Sequence, residues 1–404
     1  MKHLSTALVC STLLVTATGC FEDDTVWLPD SSGVVCIQAD GALMHYDLTT
    51  SRRRILERAD WLRNKKGQFK PAVSPDGKRV AVIRHVASKQ SHTVQFVLYN
   101  VSDGTKHESR VFALPAKEQL RATSTIGSGR VHWSPNGQRI LFHVDATIET
   151  TREARAKRLF GGLLSDDPTI STLGVYDLRK DTVQVYNGLH ESELSRYSRL
   201  SPFTPDGRGF LAESAGGWQS LVFADWTGQT YDFKLTEALR NAAEPVKVES
   251  KPSFGFEFDE EEEEFELEQI MLAWPGASWK GSVAVLRCDR GNVIFDPLRR
   301  VIDLRPSTIP EGLPEYATFD ECGVAELKDD VVVLLFSGQI EIAKRSRNAK
   351  KPTWSVAEVA SFDAVHGFYP SPNREYFFVH YEVDHKAGRL ILNADGEVVG
   401  DLTR

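Results

Sequence analysis

Four stretches of this sequence share one pattern, and that pattern decides the fold. They read Val73-Ser-Pro-Asp-Gly-Lys-Arg-Val-Ala-Val-Ile83, Trp133-Ser-Pro-Asn-Gly-Gln-Arg-Ile-Leu-Phe-His143, Phe203-Thr-Pro-Asp-Gly-Arg-Gly-Phe-Leu-Ala-Glu213 and Tyr369-Pro-Ser-Pro-Asn-Arg-Glu-Tyr-Phe-Phe-Val379. Proline fixes φ at the first corner of a turn, Asp or Asn binds its own backbone, and Gly provides the positive φ that closes a tight hairpin. Each stretch therefore predicts a turn followed by an apolar strand.

The turn residues of the four copies are predicted to have a structural role. They are Ser74, Pro75, Asp76, Gly77, Ser134, Pro135, Asn136, Gly137, Thr204, Pro205, Asp206, Gly207, Ser371, Pro372 and Asn373. The fourth copy has Arg374 where the others have Gly, so we expect its turn to differ from the other three. Trp133 and Phe203 immediately precede their turns, and we expect both rings to pack between neighbouring strand units.

A second strand follows each turn, and it ends in another turn. These strands lie in residues 96–104, 173–178, 221–228 and 390–396, where apolar residues recur before Asp, Asn or Gly. The turn prolines at 75, 135, 205 and 372 are separated by 60, 70 and 167 residues. The last interval has room for two further, degenerate units, for which residues 270–304 and 316–356 are the candidates. Residues 26–57 form one more unit.

Four strands per unit, at a period of roughly 40 to 70 residues, are typical of a β-propeller blade. The Ser-Pro-Asp-Gly turn with its strands resembles the WD-like repeats of TolB-type propellers. The resemblance implies an all-β fold, a seven-bladed β-propeller over residues 31–404, with six or eight blades as alternatives. It carries over no functional residue, because the matching motif is structural.

The first twenty residues have the features of an export signal. A short cationic start precedes an apolar or small-residue stretch from Leu4 to Ala17, and Ala17-Thr-Gly-Cys20 ends it. This resembles a bacterial lipoprotein signal. The resemblance implies that residues 1–19 are removed, that Cys20 is lipidated, and that residues 20–30 tether the chain to a membrane outside the cytoplasm. Phe21 favours the outer membrane or the periplasmic face. The alternatives are an ordinary secretory signal and an uncleaved membrane helix.

Charge is concentrated in one segment. The chain has a formal net charge of -8, and residues 257–268 contain nine acidic residues and no basic one. The remainder lacks the broad basic surface of a nucleic-acid-binding protein, so we expect no nucleic acid partner.

Two insertions in the repeat are predicted, at about 146–170 and 250–268. The first contains Glu149–Phe160, a stretch rich in helix-forming residues. In the second, the run Glu260, Glu261, Glu262, Glu263 and Glu264 is read as a solvated loop, with cation binding or contact with a basic partner as alternatives.

Histidines provide the candidates for a metal site. If residues 365–369 and 376–382 pair as a hairpin, His366 and His380 come within reach of each other, whereas His385 faces the opposite side. The other interpretation is a pair of histidines that bind backbone carbonyls at a blade rim. We predict no cofactor and keep a divalent metal as the alternative. Cys36, Cys288 and Cys322 allow at most one disulfide and match no zinc pattern.

Sequence motifs for nucleophilic catalysis and nucleotide binding are absent from this chain. No catalytic residue is therefore assigned. We expect a lipid-anchored, monomeric, non-catalytic platform that binds an envelope protein or a glycan. The alternative is a propeller hydrolase, lyase or lactonase with a divalent metal in its central channel. In a third hypothesis, the acidic loop and the basic insertion contact a partner by charge.

Overall fold

A computed structural model gives the fold of the chain. It describes residues 25–38, 40–62, 69–87, 92–114, 124–148, 169–191, 201–214, 221–232, 272–280, 283–288, 291–296, 301–305, 313, 323–328, 330–336, 338–346, 353–384 and 386–403. These residues form thirty strands and one short 3-10 helix, Asp60–Leu62, so the predicted all-β class is confirmed.

The first fourteen strands lie in the N-terminal half of the chain. In chain order, β1 to β14 are Thr25–Trp27, Gly33–Ile37, Ala42–Asp47, Arg52–Arg58, Phe69–Lys70, Ala72–Val73, Arg79–Ala87, His92–Asn100, Lys106–Glu108, Phe112–Leu114, Ser124–Trp133, Arg139–Ile148, Thr169–Asp177 and Thr182–Tyr186.

The other sixteen strands follow. In chain order, β15 to β30 are Leu189–Glu191, Gly209–Ser214, Leu221–Asp225, Thr230–Asp232, Leu272–Lys280, Val283–Cys288, Gly291–Asp296, Val301–Arg305, Gly323–Glu326, Val331–Phe336, Gln339–Arg345, Trp354–Ser361, Ala364–Pro370, Tyr376–Val383, Lys386–Asn393 and Val398–Asp401.

Within the described residues, the strands form seven sheets, which we number 1 to 7 in chain order. Sheet 1 is β1–β4, sheet 4 is β15–β18, sheet 5 is β19–β22, sheet 6 is β23–β26 and sheet 7 is β27–β30, each an up-and-down meander. Sheet 2 joins β6, β7, β8 and β10, with β9 also paired to β8, and sheet 3 joins β11 to β14. Sheets 5 and 6 occupy the two stretches predicted as degenerate units.

One short strand links two sheets. β5 pairs in parallel with β11 of sheet 3, with Lys70 opposite Arg130, whereas β6 pairs with β7 of sheet 2. Pro71 stands between β5 and β6, where its missing N–H removes a ladder hydrogen bond. The chain therefore passes from the edge of sheet 3 to the edge of sheet 2 at this proline.

The four predicted turns have one geometry. In the first, Ser74 N–H donates to the Arg79 carbonyl over 2.8 Å, and Arg79 N–H donates to Ser74 Oγ over 2.9 Å. The equivalent bonds form between Ser134 and Arg139, and between Thr204 and Gly209. The hydroxyl-bearing residue is buried in every copy, because its side chain replaces water as the acceptor for the strand's first N–H.

The fourth turn keeps this geometry, so the prediction that it differs is wrong. Tyr376 N–H donates to Ser371 Oγ over 3.0 Å, and Arg374 N–H donates to the Ser371 carbonyl over 2.9 Å. Arg374 adopts a φ of 60°, close to the 71° of Gly77. The hydrogen bonds of the turn and the flanking strands hold this arginine in a left-handed conformation.

Sheet 1 contains a turn of the same type that the sequence analysis missed. Leu28 N–H donates to the Gly33 carbonyl over 2.9 Å, Ser31 has a φ of 63°, and Ser32 N–H donates to Asp30 Oδ1 over 3.0 Å. Because Leu28 stands where the other copies have Ser or Thr, the motif is incomplete, although Pro29-Asp30 remains as a signal. Sheet 1 therefore begins at Thr25, inside the range 20–30 predicted as a tether.

The chain divides into two compact units. The first comprises Met1–Val185, Ala325–Arg345 and Ser355–Arg404, and the second comprises Tyr186–Val324 and Ser346–Trp354. The first unit contains sheets 1, 2, 3, 6 and 7, and the second contains sheets 4 and 5.

Within the first unit, apolar clusters join the sheets face to face in one series. Sheet 6 packs on sheet 7 around Phe368, sheet 7 on sheet 1 around Phe378, and sheet 1 on sheet 2 around Tyr99. Sheet 2 packs on sheet 3 around Phe96 and Trp133, so the expectation for Trp133 is confirmed. The first and last sheets of the chain are therefore neighbours.

The turns of these sheets also contact one another in the same order. Lys328 N–H donates to the Arg374 carbonyl over 2.9 Å, and Asn373 N–H donates to Ser31 Oγ over 2.9 Å. Farther along, Arg79 donates to the Gly137 carbonyl over 3.4 Å. The turns of sheets 6, 7 and 1 are thus joined by hydrogen bonds, as are the turns of sheets 2 and 3.

In the second unit, Phe203 contacts the rings of Phe210 and Trp226 of its own sheet 4. Ring centroids lie 6.4 Å and 5.7 Å apart in these two pairs. Trp226 Nε1 also donates to the carbonyl of Gly207 over 2.7 Å, which fixes the indole against the turn.

Several predictions fall outside the described residues. These are the signal and lipidation at residues 1–20, the helical stretch Glu149–Phe160, the acidic run Glu260–Glu264, Cys322 and His385. Strands β12 and β13 reach Ile148 and Thr169, so they occupy both ends of the predicted insertion 146–170. In the part of the chain that is described, no helix is long and apolar enough to cross a membrane.

Candidate functional site

One position in the repeat carries the chemistry-bearing side chains. It is the residue nine positions after the Ser or Thr of each turn: Ile83 in sheet 2, His143 in sheet 3, Glu213 in sheet 4 and His380 in sheet 7. All four lie on the second strand of their sheets, and the three polar members are buried. A buried polar side chain requires hydrogen-bond partners, so this position predicts local polar clusters in three sheets.

In sheet 7, the cluster consists of His366, His380 and Glu382. The pairing of β27 with β28 shifts between Val365 and Gly367, which leaves His366 at an irregularity beside His380. The two imidazole centroids lie 5.5 Å apart, and His366 Nε2 lies 3.2 Å from Glu382 Oε2. The hairpin predicted to bring His366 and His380 together is confirmed.

The same face of sheet 7 is tied to sheet 1. Arg389 stands opposite His380 on β29, and its guanidinium donates to the Ile37 carbonyl over 3.2 Å. Phe378, two residues before His380 on β28, packs into the apolar cluster between these sheets. The histidine cluster therefore lies on the face of sheet 7 that packs against sheet 1.

In sheet 3, His143 forms a matching cluster. His143 Nε2 contacts Ser171 Oγ and lies 3.2 Å from Asp145 Oδ1, and Arg130 stands opposite His143 on β11. Asp145 follows His143 by two residues, as Glu382 follows His380, so the two sheets share a His-x-acid pattern on one face of the second strand. No prediction from the sequence singled out His143, which appeared only as the last residue of the second repeat stretch.

The geometry of these clusters fits structural polar pairs. In a serine-type triad, one imidazole nitrogen takes the serine proton and the other is held by the carboxylate. In sheet 3, both Ser171 and Asp145 contact the same nitrogen of His143. Among the residues whose side chains are described, no group of three or more His, Cys, Asp or Glu is placed to hold a metal ion.

Shifted pKa values concentrate at turns. Hydrogen bonds from neighbouring residues hold the pKa values of five carboxyl groups below their usual range, namely Asp30, Asp47, Asp76, Asp103 and Asp225. The largest cause is an N–H or hydroxyl of a residue two or three positions away in sequence, such as the Ser74 hydroxyl at Asp76. These carboxylates stabilise turns.

Burial shifts the pKa values of three other groups. It lowers the pKa of His45 in sheet 1, and it raises the pKa values of Tyr99 and Tyr176. Tyr99 packs in the cluster between sheets 1 and 2, and Tyr176 packs in the cluster between sheets 2 and 3. These shifts follow from packing between sheets.

The fourth strand of sheet 1 carries a dense positive charge. β4 reads Arg52-Arg-Arg-Ile-Leu-Glu-Arg58, and its four arginines are exposed together with Ile55, which is 48% exposed. Arg54 donates to the Val101 carbonyl over 3.3 Å, and Arg53 donates to the Asp401 carbonyl. No prediction from the sequence singled out this strand, although three consecutive arginines in a chain of net charge -8 were a visible signal.

The chain is similar to several solved structures at low identity, whereas no protein-family model and no curated protein sequence matches it. Dihydro-heme d1 dehydrogenase NirN in complex with DHE is 12% identical with a TM-score of 0.41, and the match covers 94% of this chain. This chain spans 65% of NirN.

Two further solved structures are similar at the same level. The Dos1 propeller is 11% identical with a TM-score of 0.38, and the match covers 90% of this chain and 76% of that one. Oligogalacturonate lyase from Vibrio parahaemolyticus is 10% identical with a TM-score of 0.36, and the match covers 83% and 77%. Likeness at this level assigns no activity to this chain.

Proposed function

We propose that this protein is a lipid-anchored, seven-bladed β-propeller that acts as a non-catalytic binding platform for a protein of the bacterial cell envelope. One observation carries the proposal. His143, Glu213 and His380 are buried among the strands of their sheets, whereas the arginines of the outer strand β4 are exposed. Exposed side chains on a rigid sheet suit recognition, because they are positioned before the partner arrives.

The propeller is supported by the order of packing in the first unit. Its five sheets pack in the sequence 6, 7, 1, 2 and 3, and this order makes the two chain ends neighbours. A ring of blades requires such a contact between the first and the last sheet, and seven sheets in the described residues match seven blades.

The lipid anchor is supported by the sequence before Thr25. Residues 1–19 have the pattern of a lipoprotein signal, and Cys20 stands five residues before β1. Metabolic labelling with a radioactive fatty acid tests this part. We expect label on the wild-type chain and none on Cys20→Ala, which also leaves the membrane fraction; label that persists in Cys20→Ala contradicts the anchor.

The platform is tested by crosslinking in living cells. A photo-reactive residue placed at exposed Ile55 or Val356 is expected to capture a specific envelope protein, and the same residue at exposed Val111 serves as a comparison. His366→Ala and His380→Ala are expected to keep this capture as long as they fold. A full-length chain that captures no protein from any exposed face contradicts the platform.

The enzyme alternative is favoured by one observation, the paired His-x-acid patterns of sheets 3 and 7. Elemental analysis of the full-length protein, purified in detergent without chelator, separates the two functions. A near-stoichiometric divalent metal that is lost in His366→Ala or His380→Ala supports the enzyme. A folded protein that lacks metal supports the platform.

A further inference from the structure

We propose that β4 is a docking edge, and that an acidic extended segment of a partner protein binds there as an added antiparallel strand. The inference rests on the proposed platform function and names the chemistry of the partner. Three features of β4 carry it: its free edge, its charge and the alternation of its side chains.

The free edge follows from the position of β4 in sheet 1. The strand order is β1-β2-β3-β4, so β4 pairs with β3 along one side, and no other described strand pairs with its opposite side. An edge strand presents unpaired N–H and C=O groups, and an extended peptide can pair with them. At seven residues, β4 is long enough for several rungs of such a ladder.

The charge of β4 determines which peptide can bind. Four of its seven residues are arginines, in a chain whose formal net charge is -8. Arg53 and Arg54 donate to neutral carbonyl oxygens of Asp401 and Val101, which fix their guanidinium groups without neutralising them. Arg58 lies 2.6 Å from Asp40, and the charge of Arg54 contributes to the lowered pKa of Asp103, so Arg52 and Arg53 are the two charges without a carboxylate among these contacts.

Charge at a sheet edge normally opposes pairing with a second chain. With an acidic segment, the charge of β4 favours pairing instead of opposing it, because opposite charges on facing positions of two strands attract. The arginines therefore exclude ordinary strands and select an acidic one. The two guanidinium groups already held by Asp401 and Val101 lose less freedom on binding than free side chains would.

The alternation along β4 specifies the order of residues in the partner. Arg54 stands opposite His45, Arg53 opposite Tyr46 and Ile55 opposite Met44, so Arg53 and Ile55 share the face directed at sheet 7. An antiparallel partner would place an apolar residue beside Ile55 and then acidic residues beside Arg54, Arg53 and Arg52. The geometry thus points to an apolar residue followed directly by consecutive acidic residues.

A labelled synthetic peptide with the sequence Thr-Val-Phe-Asp-Glu-Glu-Thr-Val is the probe. Its binding to the full-length protein in detergent is measured by fluorescence anisotropy. We expect binding to the wild type, and we expect Arg52→Glu combined with Ile55→Glu to weaken it by about tenfold or more. Arg208→Glu, a matched change of an exposed arginine in the turn of sheet 4, should leave the affinity unchanged.

Two further peptides separate strand addition from simple attraction of charges. A scrambled peptide of the same composition and a peptide N-methylated at alternate backbone positions should both bind at least about tenfold more weakly. Equal binding of the methylated peptide would overturn the proposal, because that peptide cannot donate the ladder hydrogen bonds. Binding of phosphatidylglycerol vesicles without binding of the peptide would also overturn it, since the arginines would then contact lipid headgroups.

The crosslinking experiment distinguishes failure of this inference from failure of the platform. If Arg52→Glu with Ile55→Glu folds and, with the photo-reactive residue at Val356, still captures the same envelope protein, β4 is not the docking edge and the platform stands. If Arg52→Glu alone weakens both peptide binding and capture, both proposals are supported. If the wild type captures no protein, the platform fails whatever the peptide does.

Discussion

At the scale of the residue, Arg374 shows how strongly the repeated turn is determined. A non-glycine residue in the left-handed region costs about 1–2 kcal/mol, yet Arg374 has a φ of 60°. Its turn keeps the same bonds, including Tyr376 N–H to Ser371 Oγ at 3.0 Å. The ion pair of Arg374 with Glu326, at 3.6 Å between exposed groups, is too weak to offset that cost.

Replacement of Arg374 by glycine should therefore stabilise the first unit. We expect Arg374→Gly to raise the free energy of unfolding by about 1 kcal/mol, measured by urea denaturation. Gly207→Ala is the reciprocal variant. An added Cβ at Gly207 meets no atom within 4 Å, so its φ of 67° alone should destabilise that turn, by about 1 kcal/mol. Arg374→Gly that is less stable than wild type would contradict the strain argument.

Asp76 should make its turn sensitive to acid. The Ser74 hydroxyl and the Lys78 N–H hold the pKa of Asp76 below its usual range. A carboxyl group with a lowered pKa in the folded state stabilises the protein above its unfolded pKa, and that contribution disappears as pH falls through the folded value.

Asn136 and Asn373 occupy the same position in other copies and do not titrate. We expect Asp76→Asn to lose less stability than wild type as the pH is lowered from about 5 to about 3. Asn136→Asp should behave in the opposite way. Thermal unfolding followed by circular dichroism across this pH range checks both, and identical pH profiles for wild type and Asp76→Asn would contradict the role of the carboxylate.

At the scale of the element, the hairpins could be predicted from the sequence because Ser-Pro-Asp-Gly acts locally. The hydroxyl, the proline and the glycine need only their own turn to form it, and the hairpin around His366 and His380 followed from that turn. The turn at Leu28 was missed because leucine stands there in place of the Ser or Thr that begins the motif in the other copies. Packing of Trp133 between units could be predicted, but the partner residues of contacts between sheets could not, since these contacts join residues far apart in the chain.

Trp133 is the clearest such contact. Its indole Nε1 donates to the carbonyl of Ala72 in sheet 2 over 3.0 Å, across 61 positions of sequence, and Arg79 lies over its ring. We expect Trp133→Phe to lower the free energy of unfolding by about 1–3 kcal/mol, because it leaves a buried carbonyl without its donor. A Trp133→Phe variant as stable as the wild type would contradict this reason.

At the scale of the whole molecule, the order of sheets in the first unit joins the two ends of the chain. Sheets 7 and 1 share an apolar cluster that includes Tyr46 and Phe378, and Tyr46 donates to the Val399 carbonyl over 3.4 Å. The repeat in the sequence predicted the all-β class of the units, and it favoured seven units over the alternatives of six or eight. It carried no information on which units touch, because identical turns can stack in an open row or in a ring.

A disulfide between the first and last sheets tests this junction directly. Asn373 N–H donates to Ser31 Oγ over 2.9 Å, so the two turns are in contact although they are 342 positions apart. We expect Ser31→Cys with Asn373→Cys to form a disulfide under oxidising conditions. Because a crosslink that closes a long loop restricts the unfolded chain, it should stabilise the protein by roughly 2–4 kcal/mol relative to its reduced form.

The two single-cysteine variants control for loss of the Ser31 hydroxyl and of the Asn373 side chain, and neither should respond to reductant. The readouts are non-reducing electrophoresis and the melting temperature with and without reductant. A folded double variant whose thiols stay unpaired under oxidation would contradict contact between these turns. The sheets would then form an open row in which the first and last sheets do not touch, and the propeller would lose its main support.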